Sequence, residues 1–506
     1  MQPRHASTLV SQALNVPDPA DQPAPEEGSI ECPQPSRFGF LFPELQTDEA
    51  LLPEGRETIK ALVALGKTMI DKQPLDKAFD TTIPSIYTYF GQFIVHDLTF
   101  DSMNLRLFED DVENLNPFSS QEINAVANPR RGLLDLDSVY GPILENNRCY
   151  RVPRNGEGMR VEIAASSDRA GTDLPRREQS PYKALIGDHR NDENLIISQL
   201  HLAFLNAHNF LVRAGASYER AKELLQRRYQ YLVINDFLPR VVDAKDIAWS
   251  GANRIFPPGN EYFIPVEFAV GAFRFGHAMV RSEYLFNAQR KTVRLYELFT
   301  MTAIGGYHHL LNDWLINWDH FLPGGVNVAR NLAPRLVEPL AEFLVQGITV
   351  PANGGRPRRP ILSLAVIDLI RGYLFRLPTG QAVAHRLGLL PMTDTELEEV
   401  ATAVSTEQAK VLRDTGLLKR TPLWYYVLAE AAHPKHGNGN RLGPVGGRLV
   451  ASVLLEAAMR SQAALPSADG WDPILGNAHN FNLGEVLRRA DINFGHNLIK
   501  ESSSWR

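Results

Sequence analysis

Gly91-Gln92-Phe93-Ile94-Val95-His96-Asp97 is the stretch on which the reading of this chain turns. It lies inside a helical pattern from Pro84 to Phe100. A proline opens that pattern, as the first turn of a helix permits, because the missing N–H would have no partner there. At 3.6 residues per turn Gln92 and His96 share a face, while Asp97 points about 100° away from His96. The two adjacent side chains can therefore serve different sites. A neutral imidazole beside a glutamine makes an acid/base pair for a small polar substrate. A hydrogen-bonded histidine in a core helix has the same local signature, so the stretch must be weighed with its companions.

Three other segments carry chemistry-bearing residues at regular spacing. In Gly271-Ala272-Phe273-Arg274-Phe275-Gly276-His277, the arginine lies one turn before the histidine, and Gly276 leaves room for a bulky group beside the backbone. In Gly187-Asp188-His189-Arg190-Asn191-Asp192-Glu193-Asn194, a Gly-Asp turn enters a long helix. Arg190 and Glu193 fall one turn apart there, the spacing of a surface ion pair. In Asp135-Leu136-Asp137-Ser138-Val139-Tyr140-Gly141, two alternating carboxylates in an extended segment put their oxygens on one side, as a hard cation requires. A solvated loop would carry the same residues.

Around these segments helical patterns dominate: Glu57 to Lys72, Glu193 to Ala214, Tyr218 to Leu238, Gly271 to Val280, Leu362 to Leu369, Thr379 to Leu387, Asp394 to Ser405 and Pro444 to Ala464. Strand signals are short, at Tyr262 to Val266 and Thr292 to Leu298. The expectation is a mainly α protein: one large helical domain over residues 37–506, with long loops and little β structure. Residues 1–36 read as a flexible arm, because Pro17 to Ser36 is rich in proline and acids and has little apolar surface to offset its ordering entropy. His201 and His208 lie seven apart on one helix face, and Trp424-Tyr425-Tyr426 reads as core packing.

The chain has 506 residues, 44% hydrophobic and 22% charged, with a formal net charge of −6. That balance is ordinary for a globular protein and draws it neither to nucleic acid nor to an anionic membrane. The basic run Arg356-Pro357-Arg358-Arg359 reads as a solvated loop. No apolar stretch is long enough for an expected membrane span. Two cysteines, Cys32 and Cys149, and an N-terminus without a signal-peptide core make the cytoplasm the default expectation. Secretion by another route stays open.

Taken together, the four segments resemble, in order and spacing, the animal-type haem peroxidases of the peroxidase–cyclooxygenase superfamily. The resemblance runs from about Phe38 to about Gln462 and includes Phe38-Gly39-Phe40-Leu41-Phe42-Pro43 and the segment from Leu362 to Arg371. It implies a haem b cofactor and a reaction between hydrogen peroxide and a small-molecule electron donor. It matches His96 to the distal histidine, Gln92 to the distal glutamine, Arg190 to the distal arginine and His277 to the ligand of the haem iron. Arg274 and Arg371 match arginines near the haem propionates. Asp97, Asp135, Asp137 and the Leu133 carbonyl match positions around a structural calcium.

The departures from that pattern are specific. Val95 stands where mammalian members place an aspartate esterified to the haem, and valine has no oxygen to form the bond. Glu193 matches the other ester-forming carboxylate, so one ester link at most is available. Asn194 stands where one mammalian member has a methionine bonded to the haem. Asp368 aligns with the asparagine that bonds the proximal histidine, and Arg131 with a threonine of the calcium loop. The dioxygenase branch of the superfamily carries a tyrosine three residues before the proximal histidine. Arg274 occupies that position, which favours a peroxidase over a fatty-acid dioxygenase, and the retained His96, Arg190 and His277 argue against a non-catalytic haem-binding relative.

Overall fold

The computed structural model describes residues 29–100, 112–145, 148–163, 172–178, 182–257, 261–302, 310–341, 363–461 and 481–490. The basic run at 356–359 and residues 1–28 of the expected arm lie outside them.

The centre of the fold is a stack of aromatic rings. Phe93, from the Ile86–Leu98 helix, stacks on Phe204 of the Leu195–Arg213 helix at 4.7 Å between centroids. Tyr229, from Tyr218–Leu232, meets both rings edge-on at 6.0 Å. Such geometries add about 0.5–1.5 kcal/mol per pair beyond simple burial. They lock three helices together around one continuous apolar core. Leu195–Arg213 is long and apolar enough to cross a membrane, but 83% of its most apolar window is buried inside the protein. Its hydrophobicity is that of a core helix, sheathed by other elements.

A second layer brings Leu364–Leu374 against Arg56–Thr68 and Leu423–Ala432, while Pro444–Arg460 packs on Ala244–Ala252. Gly66 allows the first of these crossings. A Cβ there would come within 2.8 Å of the Val366 backbone, so any larger residue would push the helices apart. The β structure is marginal, as expected: two- and three-stranded sheets of short strands. Ser36–Gly39 pairs in parallel with Ile264–Pro265 and antiparallel with Ala127–Asn128. Beyond that strand, the N–H groups of Leu41 and Phe42 donate to the buried Glu267 carboxyl at 2.9 and 3.1 Å. The opening segment is thereby tied to the turn that precedes His277.

Several expectations are corrected. Gly271 to Val280 is not α-helical: a π turn, Glu267–Gly271, runs into a 3-10 segment, Ala272–Met279. Tyr218–Leu232 also gives way to a π turn, Val233–Phe237. Thr292 to Leu298 splits between a strand, Lys291–Arg294, and a helix, Leu295–Thr300. Asp135 to Gly141 is not extended, because Leu136 is left-handed at φ 55° and Asp137–Tyr140 forms one helical turn. The last residues of the expected arm are held in the fold. Ser29–Ile30 pairs with Arg148–Tyr150, and Cys32 forms a disulfide with Cys149. Disulfides persist in oxidising surroundings, so the cysteine count carries no weight for a reducing compartment.

Candidate active site

On the Ile86–Leu98 helix most side chains are buried, and Gly91, Gln92 and Val95 are partly accessible. Their spacing marks one open strip on a helix at the heart of the protein. His96 borders it, buried. Its Nδ1 is 2.8 Å from Asn191 Oδ1, and Asn191 Nδ2 is 2.9 Å from His201 Nδ1. Burial, aided by the nearby Arg190 charge, lowers the His96 pKa to about 3. The imidazole is therefore neutral at physiological pH.

Arg190 is held against the end of the same helix. Its guanidinium and backbone N–H bond the buried Asp188 carboxylate, and its Nη2 also donates to the carbonyls of His96, at 3.2 Å, and Thr99. Its partner is thus Asp188, and not Glu193 as the one-turn spacing had offered. Asp188 takes a second buried guanidinium, Arg130, at 2.7 Å. Two cations outweigh the effect of burial and hold its pKa well below the usual value. Glu193 is partly accessible at its surface, but desolvation with weaker compensation from Arg190 raises its pKa to about 7. Asn194 caps the Leu195–Arg213 helix by accepting from the N–H groups of Ile196 and Ile197, both at 3.1 Å. Its Nδ2 reaches Gln92 Oε1 at 3.4 Å, so the helix cap also positions the glutamine.

The second wall is the 3-10 segment carrying His277, which packs directly against the Ile86–Leu98 helix. His277 Nδ1 donates to Asp368 Oδ2 at 2.7 Å, while Asp368 Oδ1 accepts from Arg274 at 2.6 Å. Burial acts to raise the Asp368 pKa, but His277 and Arg274 outweigh it and hold the carboxyl below its ordinary value. Arg274 Nε also donates to Ala269 O, and Trp424 Nε1 donates to the Arg274 carbonyl. Arg371 lies one turn beyond Asp368 on Leu364–Leu374, partly accessible, and burial lowers its pKa to about 10.

These residues fit a haem. His277 is tied by one ring nitrogen, and 31% of its side chain is exposed. A Cβ added at Gly276 would meet nothing within 4 Å, so there is open space beside the residue that precedes His277. Arg274 and Arg371, both partly accessible, provide cations suited to carboxylates of the group.

The residues matched to a calcium site do not fit that ion. Asp97 Oδ1 and Oδ2 accept the N–H groups of Ser138 and Leu136 at 2.9 and 3.1 Å. Asp135 and Asp137 both meet the Arg131 guanidinium. Among the described residues, no three His, Cys, Asp or Glu side chains are arranged to hold a metal ion. His201 and His208 do not converge either. His208 bonds Tyr140 and the Glu157 carbonyl, each at 3.0 Å.

The sequence patterns assign Asn191 no role and place His201 only on a helix face shared with His208. Asn191 and His201 both belong to the hydrogen-bond chain that starts at His96. The available signal was an amide immediately after Arg190, in a segment that must face the Ile86–Leu98 helix.

The family model for animal haem peroxidase matches residues 118–415, more than half of the chain, and the chain belongs to that family. Arg190, Arg274, His277 and Asp368 lie inside the match, whereas Gln92 and His96 precede it. Thyroid peroxidase from Canis lupus familiaris is 25% identical over 354 residues, which cover 62% of this chain and 36% of that protein. The chain therefore spans about a third of that relative's length. The fold is similar to that of peroxidase A from Dictyostelium discoideum, with a TM-score of 0.54 and 15% identity, over 94% of this chain and 92% of that one. It is equally similar to a fatty acid alpha-dioxygenase from Arabidopsis thaliana, with a TM-score of 0.54 and 12% identity, over 93% and 78% of the two chains.

Proposed function

We propose that this protein is a haem-dependent peroxidase that reduces hydrogen peroxide and oxidises a small-molecule donor. The observation that carries the reading is the orientation of His96. Its Nδ1 is engaged by Asn191, which leaves Nε2 as the proton acceptor. When bound through His277, the haem iron supplies the coordination site and electrons for peroxide cleavage.

The chain's own residues manage the protons. His96 Nε2 takes the proton from one peroxide oxygen and returns it to the other, which departs as water. Proton transfer by a positioned histidine is typically worth about 10²–10⁴ in rate. Arg190, bonded to the His96 backbone carbonyl, carries a fixed positive charge near the imidazole and would oppose negative charge developing on the leaving oxygen. Gln92, steadied by Asn194, offers an amide to peroxide or ordered water. Asp368 orients His277 and shares its charge with Arg274. Glu193 is the carboxyl available for an ester to the haem, and Val95 offers none.

The fatty-acid dioxygenase reading draws support from the shared fold. Against it, the position three residues before His277 is Arg274, which bonds Asp368 and holds no phenol.

The test is rapid mixing of the haem-loaded protein with hydrogen peroxide, followed by donor screening. His96→Ala should retain haem and react slower by about 10²–10⁴. An unchanged rate refutes the distal assignment. Oxygen uptake with a polyunsaturated fatty acid, without peroxide, would favour the dioxygenase. Denaturing acid extraction should leave haem on the wild-type chain and release it from Glu193→Gln.

A further inference from the structure

The loop from Arg130 to Tyr140 folds under the last turn of the Ile86–Leu98 helix and carries Asp135 and Asp137 to Asp97. Three carboxylates gathered in a largely dry place need positive charge nearby, because a buried anion without a partner is costly. Here the chain carries that charge itself. Arg131 Nη1 is 3.3 Å from Asp135 Oδ2. Its Nε lies 2.9 Å from Asp137 Oδ1, and Nη2 lies 2.5 Å from the same oxygen. The Arg131 backbone N–H donates to Asp137 Oδ2 at 2.9 Å, so this carboxylate is gripped at both oxygens by one residue.

The backbone is shaped for the arrangement. Gly132, at φ +73°, and Leu136, at φ 55°, are both left-handed and bracket the segment that folds Asp135 and Asp137 back on Arg131. Gly132 is also confined by packing, since a Cβ there would lie 2.9 Å from the Ile264 side chain. The left-handed Leu136 directs its N–H onto Asp97 Oδ2, and Ser138 covers Oδ1.

A calcium ion needs about six to eight oxygens at 2.3–2.6 Å. In this loop both Asp97 oxygens accept backbone N–H groups, Asp137 is hydrogen-bonded by the Arg131 guanidinium, and Asp135 Oδ2 lies within ion-pair distance of the same group, at 3.3 Å. A divalent ion among them would sit within a few ångströms of a fixed positive charge. Arginine suits the exchange, because its planar fork spans two carboxylates and it stays protonated at any working pH.

We propose that Arg131 is the resident cation of this site, so that the anchoring of the catalytic helix is independent of any metal. Asp97 follows His96 directly in the chain, so the arginine holds the helix end that carries the distal histidine. The inference concerns this loop alone and stands or falls separately from the peroxidase reading.

The test uses the haem-loaded protein, dialysed against a calcium chelator and then calcium-free buffer. Metal analysis should find far less than one calcium per chain. The melting temperature should be the same in chelator and in millimolar calcium. One retained equivalent of calcium, or a melting temperature that falls in chelator and recovers with calcium, overturns the proposal. Arg131→Thr supplies the converse. It should melt lower than wild type in chelator, regain stability with calcium, and bind terbium at least tenfold more tightly by luminescence. Equal terbium affinity in the two proteins refutes the idea. Should the variant not fold, the wild-type metal analysis and melts decide the question.

Discussion

The side-chain amide of Asn191 joins two buried imidazoles, with Oδ1 2.8 Å from His96 Nδ1 and Nδ2 2.9 Å from His201 Nδ1. An amide nitrogen can only donate, so His201 Nδ1 must accept, and Asn191 Oδ1 must then accept from His96 Nδ1–H. One tautomer of His96 is selected, with Nε2 left unprotonated as an acceptor. Asn191→Ala removes both bonds. The peroxide reaction should slow by about 10–100-fold, the range for losing a partner that orients a working imidazole. Two polar groups left unsatisfied should each cost about 1–3 kcal/mol of stability. Stopped-flow rates at saturating haem would expose the idea as wrong if they matched wild type while stability fell.

Asp368 should tune the iron through His277. A carboxylate pulls harder on the ring N–H than a neutral amide, which makes the imidazole a stronger donor and favours the oxidised metal. Arg274 shares the same carboxylate at 2.6 Å and moderates the pull. Asp368→Asn is expected to raise the Fe(III)/Fe(II) potential by tens of millivolts, where about 59 mV is a tenfold change in relative affinity for the two states. Spectroelectrochemical titration of both proteins checks this. An equal or lower potential in the variant would contradict it.

Glu430 predicts a pH-dependent stability difference. Its carboxyl is buried and accepts the Val445 N–H at 2.8 Å, and burial raises its pKa from 4.5 to about 8. Below the unfolded value the carboxyl is protonated in both states and pH has no effect. Between about 4.5 and 8 only the unfolded chain ionises, so the folded state loses stability as pH rises. The slope is at most about 1.4 kcal/mol per pH unit. Glu430→Gln keeps an acceptor for Val445 and removes the titration. Its melting temperature relative to wild type should climb from pH 5 to pH 9; a difference flat across that range would mean the carboxyl is not buried neutral.

The Cys32–Cys149 disulfide should stabilise the N-terminal strand and the fold together. It closes a loop with a sequence separation of 117, for which chain-entropy reasoning gives about 4–5 kcal/mol. A reducing agent should lower the melting temperature of wild type and leave that of Cys149→Ser unchanged. Equal sensitivity of the two proteins to reductant would argue against the crosslink.

Much of this protein was legible in one dimension. The expectation of a haem pocket came from the resemblance of the His96 motif and its companions to the animal haem peroxidases, while the helical period around His96 identified the Ile86–Leu98 element. Periodicity and spacing carry that information because a helix places residues four apart on one face whatever surrounds it. The same rule failed from Gly271 to Val280. There, packing against the Ile86–Leu98 and Leu423–Ala432 helices accompanies wider and tighter turns that no propensity announces.

Partnership was another matter. The sequence alone determined a mainly helical protein and placed His96 and His277 in two separate motifs, with a valine, which has no oxygen to form an ester, at position 95. Only the tertiary structure decided that Arg190 answers to Asp188, that Asn191 sets the tautomer of His96, and that two distant cysteines meet. It also showed that Arg131, recognised from the chain only as an odd residue in a metal-like loop, turns its guanidinium into the carboxylates. Local patterns are set by bonds between near neighbours, whereas the partner of a buried charge is whichever group, however remote in sequence, the packing brings within about 3 Å of it.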